Sequence, residues 1–290
     1  MKAMLGRWWL GARPRTLPAS VVPVLIGAGC ASGLGGAVWW RAVPAMVVSL
    51  ALQIGVNYAN DYSDGVKGTD EVRVGPTRLV ASGLASAREV RVAAFSAFGV
   101  AAVMGLVLAL VTTMWLIPVG LVCIAAGWFY TGGPSPYGYA GLGEAFVFVF
   151  FGLLATAGTT YVILEEIPSV AVIAGATTGL LSCALLVINN LRDISTDRVS
   201  GKRTLAVRIG DQRTRVLYML MILGAAMGVV ACALQRPWSI LALCGFALAI
   251  APAKAVRGGT AGGALIPVLG MTARVQLVVG VMLAAGIAAS

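Results

Sequence analysis

The chain has 290 residues, 59% of them hydrophobic and 11% charged, with a mean hydropathy of +0.91. Soluble domains carry about 25% charged residues, so this composition excludes an ordinary water-soluble fold and leaves an integral membrane protein. The net charge of +10 comes without a single histidine, which excludes an imidazole base, a histidine triad and an imidazole metal site. Any catalysis must draw on carboxylates, cations, tyrosines or a cofactor.

Nine apolar stretches of about bilayer-crossing length follow one another, at roughly 17–34, 42–60, 92–111, 114–130, 143–163, 168–190, 215–234, 238–255 and 272–289. A transmembrane barrel would need alternating segments of about ten residues, which the chain lacks. The expectation is an all-α fold, a polytopic membrane bundle of about nine helices in a single domain covering 1–290. Ahead of the first stretch, Trp8-Trp9-Leu10 is broken by Arg13-Pro14-Arg15 and reads as an interfacial anchor, not a cleavable leader. The segments 61–91 and 191–214 are long and polar and are expected to be cytoplasmic cap loops. The segment 131–142 is short and rich in turn formers.

With a cytoplasmic N-terminus, 19 of the 21 Lys and Arg fall on the inner side, leaving only Arg41 and Arg236 outside. The basic balance is then a matter of topology and anionic lipid, and implies no nucleic acid. A multi-pass protein of the cell (plasma) membrane, with its working face on the cytoplasmic side, is expected. All five cysteines lie in apolar stretches and read as packing residues.

Polar chemistry is concentrated in two segments, Asn57 to Asp70 and Asn189 to Asp197. Together with Glu71 they hold all four asparagines and six of the eleven acids. On a helix Asn57, Asp61 and Asp64 fall at i, i+4 and i+7, and Asn189, Asp193 and Asp197 at i, i+4 and i+8, so each set is expected on one face. Asn57 to Asn189 and Asp61 to Asp193 are both 132 residues apart, which hints at a duplicated four-helix unit. Paired carboxylates near a helix C-terminus repel one another and the macrodipole, so something cationic must compensate. Nearby Arg and Lys could do so in a solvated turn. The other reading is metal: oxygen ligands without His or Cys suit Mg²⁺, which takes one or two carboxylates and completes its shell with water and phosphate. Lys67, Arg73, Arg78, Arg192, Lys202 and Arg203 suit the same phosphorylated ligand. A transporter would instead place its ionisable residues near the bilayer midplane.

Asn60 to Asp70 with Arg73 to Arg78 resembles the first aspartate-rich motif of the UbiA superfamily of intramembrane prenyltransferases, and Asn189 to Asp197 with Ser200 to Gly210 resembles its second. Gly68 stands where many members carry an acid, and the third acid is Asp70. This spelling, the 130–144 stretch, Phe150 to Gly152 and Gly158 to Tyr161 are closest to the 1,4-dihydroxy-2-naphthoate polyprenyltransferase branch of menaquinone synthesis.

The resemblance implies a bundle around a cavity capped on its cytoplasmic side. Asp61, Asp64, Asp193 and Asp197 would be catalytic and bind Mg²⁺, with Asn57 and Asn189 in support. Asn60, Lys67, Asp70, Arg73, Arg78, Arg192 and Lys202 would contact polyprenyl diphosphate or 1,4-dihydroxy-2-naphthoate. Tyr62, Tyr130, Tyr137 and Tyr139 are candidates to steady an allylic cation, and Glu144 to contact substrate or cap a helix. Another aromatic acceptor, such as 4-hydroxybenzoate or homogentisate, stays open. So do the donor's length, the cation that holds the acceptor carboxylate, and the oligomeric state.

Overall fold

The computed structural model describes residues 2–69 and 77–290. Helix α1 (Lys2–Ala12) leads through a 3-10 turn (Pro14–Thr16) into α2 (Pro18–Ala31). Then come α3 (Ala42–Val66), α4 (Ala87–Val111) and α5 (Leu116–Phe129). Next are α6 (Gly143–Leu164), α7 (Ser169–Val199), the short α8 (Leu205–Ile209) and α9 (Asp211–Ala233). The chain ends with α10 (Pro237–Arg257) and α11 (Leu265–Ala288). No strand occurs among the described residues.

Among the described residues seven helices are long and apolar enough to cross a membrane: α3, α4, α6, α7, α9, α10 and α11. The shorter α2 and α5 are apolar helices of 14 residues each. Every stretch expected from the sequence falls on one of these nine segments. The boundaries differ where it matters most. Instead of ending near Asn60 and Asn190, α3 runs on to Val66 and α7 to Val199, so much of the two expected cap loops is helix. Asn60, Asp61, Asp64, Asn190 and Asp193 are buried against other segments, and their partners let helix continue through residues that hydropathy alone assigns to solvent.

The main core joins α2, α7, α9, α10 and α11 through residues such as Ile26, Ile188, Tyr218, Val279 and Leu283. A second core packs α1, α3 and α4 with the 77–85 segment through Tyr58, Leu79, Val90 and Phe98. Of the spanning helices α7 is the most enclosed and α9 the most open, its Leu220, Leu223 and Met227 facing outward as lipid-contacting side chains do.

Local chemistry places the elements. Ser86 caps α4 in a reciprocal capping box with Glu89, which satisfies two first-turn N–H groups. Helix α6 widens into a π-helical stretch over Phe148–Leu154. There it crosses α7 so closely that a side chain at Gly152 would strike the backbone of Gly179. At the far end of the bundle Arg41 ties three elements together. Its guanidinium donates to the Val111 carbonyl at 2.6 Å, the Val162 carbonyl at 3.2 Å and the Glu165 carboxylate at 2.7 Å.

Candidate active site

A cavity of about 1010 Å³ runs inside the bundle, walled by α2, α3, α4, α5, α6, α7 and α11. Along α3 its lining extends from Ala45 to Asp64. At 1.5 Å per residue that is about 28 Å, most of a bilayer's hydrocarbon thickness. One end is apolar, with Ala45, Leu108, Leu116 and Val162. The other gathers Asn57, Asn60, Asp64, Asn189, Asn190, Asp193 and Asp197 with Arg78, Arg192, Lys202 and Tyr139.

The two polar segments do meet, but in a different register from that expected. The residues of α3 that line the cavity are Asn57, Asn60 and Asp64, and those of α7 include Asn190, Asp193 and Asp197. Both sets follow an i, i+3, i+7 pattern, which holds one helical face. The matching pairs are therefore Asn60/Asp64 and Asp193/Asp197, 133 residues apart and not 132. Asp61 is the casualty of this shift. It lies about 100° around α3 from Asn60, fully buried and away from the cavity lining. Its two carboxylate oxygens accept the backbone N–H groups of Leu79, at 2.9 Å, and Val80, at 3.0 Å. Asp61 thus anchors the segment that carries Arg78.

Asp64 is the hub of the α3 side. Arg78 approaches it at 3.5 Å and Lys202 at 3.1 Å, and the Tyr139 hydroxyl donates to it. The Tyr139 ring lies between two ammonium groups, with Lys67 4.9 Å and Lys202 4.8 Å from its centroid. Its carbonyl accepts the Arg203 N–H at 2.9 Å, joining the two polar segments. Lys67 donates to the carbonyls of Thr131 and Gly133, at 2.7 and 3.3 Å. Burial pushes its ammonium below the usual lysine range, Asp64 opposes the shift, and Lys202 adds to it. Thr131 donates to the Asn60 amide oxygen at 2.8 Å. On the α7 side Arg192 grips Asp193 through both oxygens, at 2.7 and 2.6 Å, and donates to Asn189 at 2.8 Å. The 200–204 turn folds back on Asp197, with the Lys202 N–H on its carbonyl at 2.8 Å.

Other expected residues separate cleanly. Tyr130, Tyr137 and Tyr139 line the cavity. Tyr62 does not, stacking instead on Trp128 at 6.0 Å with Arg91 over its ring. Burial raises the Tyr130 and Tyr137 phenols well above the usual tyrosine range, so both present neutral rings. Asn190 donates to Glu144 at 2.9 Å, giving Glu144 a partner next to the lining and not within it. Asp70 and Arg73 fall outside the described residues. Sequence reasoning passed over the Arg13–Thr16 turn, which lines the cavity and docks on Asn57. The signal was there, two arginines and a proline just after an interfacial anchor, but was absorbed as topology charge.

The donor set suits a hard divalent cation: carboxylates of Asp64, Asp193 and Asp197 with amide oxygens of Asn60 and Asn190, and neither thiol nor imidazole. Among the described residues no three acids or cysteines converge into a protein cage. Mg²⁺ takes oxygen donors of this kind and completes its shell with water or phosphate.

The model of the UbiA prenyltransferase family matches residues 20–259. A 1,4-dihydroxy-2-naphthoate octaprenyltransferase of Mycobacterium tuberculosis is 51% identical over 276 residues, covering 95% of this chain and 94% of that one. A protein of the same name from Escherichia coli is 34% identical, covering 84% and 80%. Among solved structures, a UbiA homolog from Archaeoglobus fulgidus bound to GPP and Mg²⁺ superposes with a TM-score of 0.67 at 13% identity, covering 98% of this chain and 99% of that one. An apo UbiA homolog from Aeropyrum pernix gives 0.73 at 15% identity, covering 95% and 98%. With its two matched polar helix ends over one cavity, a relative half identical along nearly its whole length, and the same helical bundle in solved homologs, the chain belongs to the UbiA prenyltransferase family.

Proposed function

We propose that this protein transfers a polyprenyl group from polyprenyl diphosphate to 1,4-dihydroxy-2-naphthoate. CO₂ and diphosphate are lost, and the quinol form of demethylmenaquinone is the product. The observation that carries this reading is the two-ended cavity, about 28 Å long along α3: apolar at one end for the tail and closed at the other by matched Asn/Asp faces of α3 and α7. The names of the relatives in M. tuberculosis and E. coli support the same acceptor.

In this reading Asp64, Asp193 and Asp197, with Asn60 and Asn190, would hold Mg²⁺ beside the diphosphate. When bound, Mg²⁺ supplies the positive charge that lets diphosphate leave the allylic carbon. Arg78, Arg192 and Lys202 add charge-assisted hydrogen bonds to the departing oxygens. Asp61 and Asn57 act at one remove, holding the 77–85 segment and the Arg13–Thr16 turn. The rings of Tyr130, Tyr137 and Phe146 exclude water and face the allylic cation. The naphthoate ring attacks through the carbon bearing its carboxylate, whose loss as CO₂ restores aromaticity. The polar end lies on the cytoplasmic side of the cell membrane, following the cation distribution, and the whole chain works as one domain.

The test is a membrane assay with Mg²⁺, labelled polyprenyl diphosphate and 1,4-dihydroxy-2-naphthoate, comparing the parent with Asp64→Ala and Asp193→Ala. A Mg²⁺-dependent lipid quinone, lost in both variants, is expected. Product with 4-hydroxybenzoate or homogentisate only would reassign the acceptor. Absence of product with every acceptor would remove the enzyme reading.

A further inference from the structure

We infer that Arg15 holds the carboxylate of the aromatic acceptor, on a platform formed by the Arg13–Thr16 turn; this rests on the prenyl-transfer reading above. Five cations line the cavity: Arg13, Arg15, Arg78, Arg192 and Lys202. Arg78 and Lys202 flank Asp64, and Arg192 grips Asp193. Arg13 donates to the Asn57 carbonyl at 3.4 Å. Arg15 has no hydrogen bond or ion pair among the described residues, and it stands at the wall of a cavity whose other cations are engaged. Among the described residues three carboxylates, Asp64, Asp193 and Asp197, line the same cavity. Its described wall therefore carries an excess of positive charge and suits anions.

The turn that carries Arg15 is rigidly docked. Asn57 donates to the Ala12 carbonyl at 2.9 Å and to the Thr16 hydroxyl at 3.1 Å, and Gln53 donates to that hydroxyl at 3.2 Å. Arg13 is held at φ 53°, ψ 71°, a left-handed conformation that a non-glycine residue keeps only where its surroundings impose it. Asn57 and Gln53 lie two to three helical turns below Asp64, about 10 to 16 Å along α3. The platform thus sits deeper than the diphosphate end. A reaction that brings two anions into one cavity needs a separate cation for the second, or their repulsion opposes binding. A guanidinium suits a carboxylate, whose two oxygens match its fork.

The experiment measures KM for each substrate in the parent, Arg15→Gln and Arg15→Lys, together with inhibition by 1-hydroxy-2-naphthoate and by 1-naphthol, which lacks the carboxylate. Arg15→Gln is expected to raise the acceptor KM about tenfold or more and to weaken 1-hydroxy-2-naphthoate equally. The donor KM and 1-naphthol inhibition should stay within about twofold, with Arg15→Lys in between. An unmoved acceptor KM, a rise in the donor KM instead, or equal weakening of 1-naphthol would overturn the assignment while leaving the prenyltransferase reading intact. Failure of the parent to turn over the naphthoate would overturn both.

Discussion

At the end of α3, Asp64 takes its compensation from three other segments: Arg78 after the first polar segment, Tyr139 in the turn before α6, and Lys202 beyond α7. At the end of α7, Asp193 is gripped by the residue immediately before it, Arg192. The two helix ends present similar carboxylates to one cavity; the cations beside Asp64 come from distant segments, whereas Asp193 also has one on its own helix. The α3 half should therefore be sensitive to changes far away in sequence, and the α7 half to changes within its own last turns as well.

The largest effect expected removes the carboxylates themselves. Asp64→Ala and Asp197→Ala should each lower kcat on the order of a thousandfold, since several kcal/mol of charge stabilisation are lost; a residual rate within tenfold of the parent would exclude either residue from metal binding. Arg192→Gln should come next, because it removes the guanidinium that pairs with both oxygens of buried Asp193. A loss of about 3 kcal/mol is expected, read as a lower melting temperature in detergent. If melting is unchanged, the Arg192–Asp193 pair contributes little to holding the end of α7.

Asp61→Asn sharpens the comparison differently. Replacing a buried acceptor of two backbone N–H groups should cost about 2 kcal/mol of stability. The Mg²⁺ concentration for half-maximal activity should stay that of the parent, while Asp64→Asn should raise it about tenfold. An equal rise in both would return Asp61 to the metal ligands. The smallest effect belongs to Tyr139→Phe, which removes the hydroxyl donated to Asp64 and leaves the ring between the two lysines. A fall in kcat of about tenfold or less is expected, matching one hydrogen bond to a charged group.

Much of this molecule is legible in one dimension. A run of about twenty apolar residues signals a membrane helix wherever it occurs, because the cost of placing backbone and charge in hydrocarbon is local. The two Asn/Asp segments, their counterpart relation and the hard-ligand chemistry follow from residue types at close spacing. Helix rotation does not. Asn57, Asp61 and Asp64 share a face nearly as well on paper as Asn57, Asn60 and Asp64 do in the bundle, and only the packing of α3 against α4 and the 77–85 segment turns Asp61 away from the cavity. The same holds for Arg15, one of 21 cations until a docked turn sets it into the cavity wall.

By itself, then, the sequence determined the solvent of each segment, the helical class, and the hard, anion-handling chemistry of two stretches, because hydropathy and ligand type belong to residues and their near neighbours. The tertiary structure alone decided which carboxylates share one cavity, which one is spent anchoring a segment, and which cavity arginine has no partner among the described residues. Those outcomes depend on how helices far apart in sequence are rotated and pressed together, and no local pattern encodes that rotation.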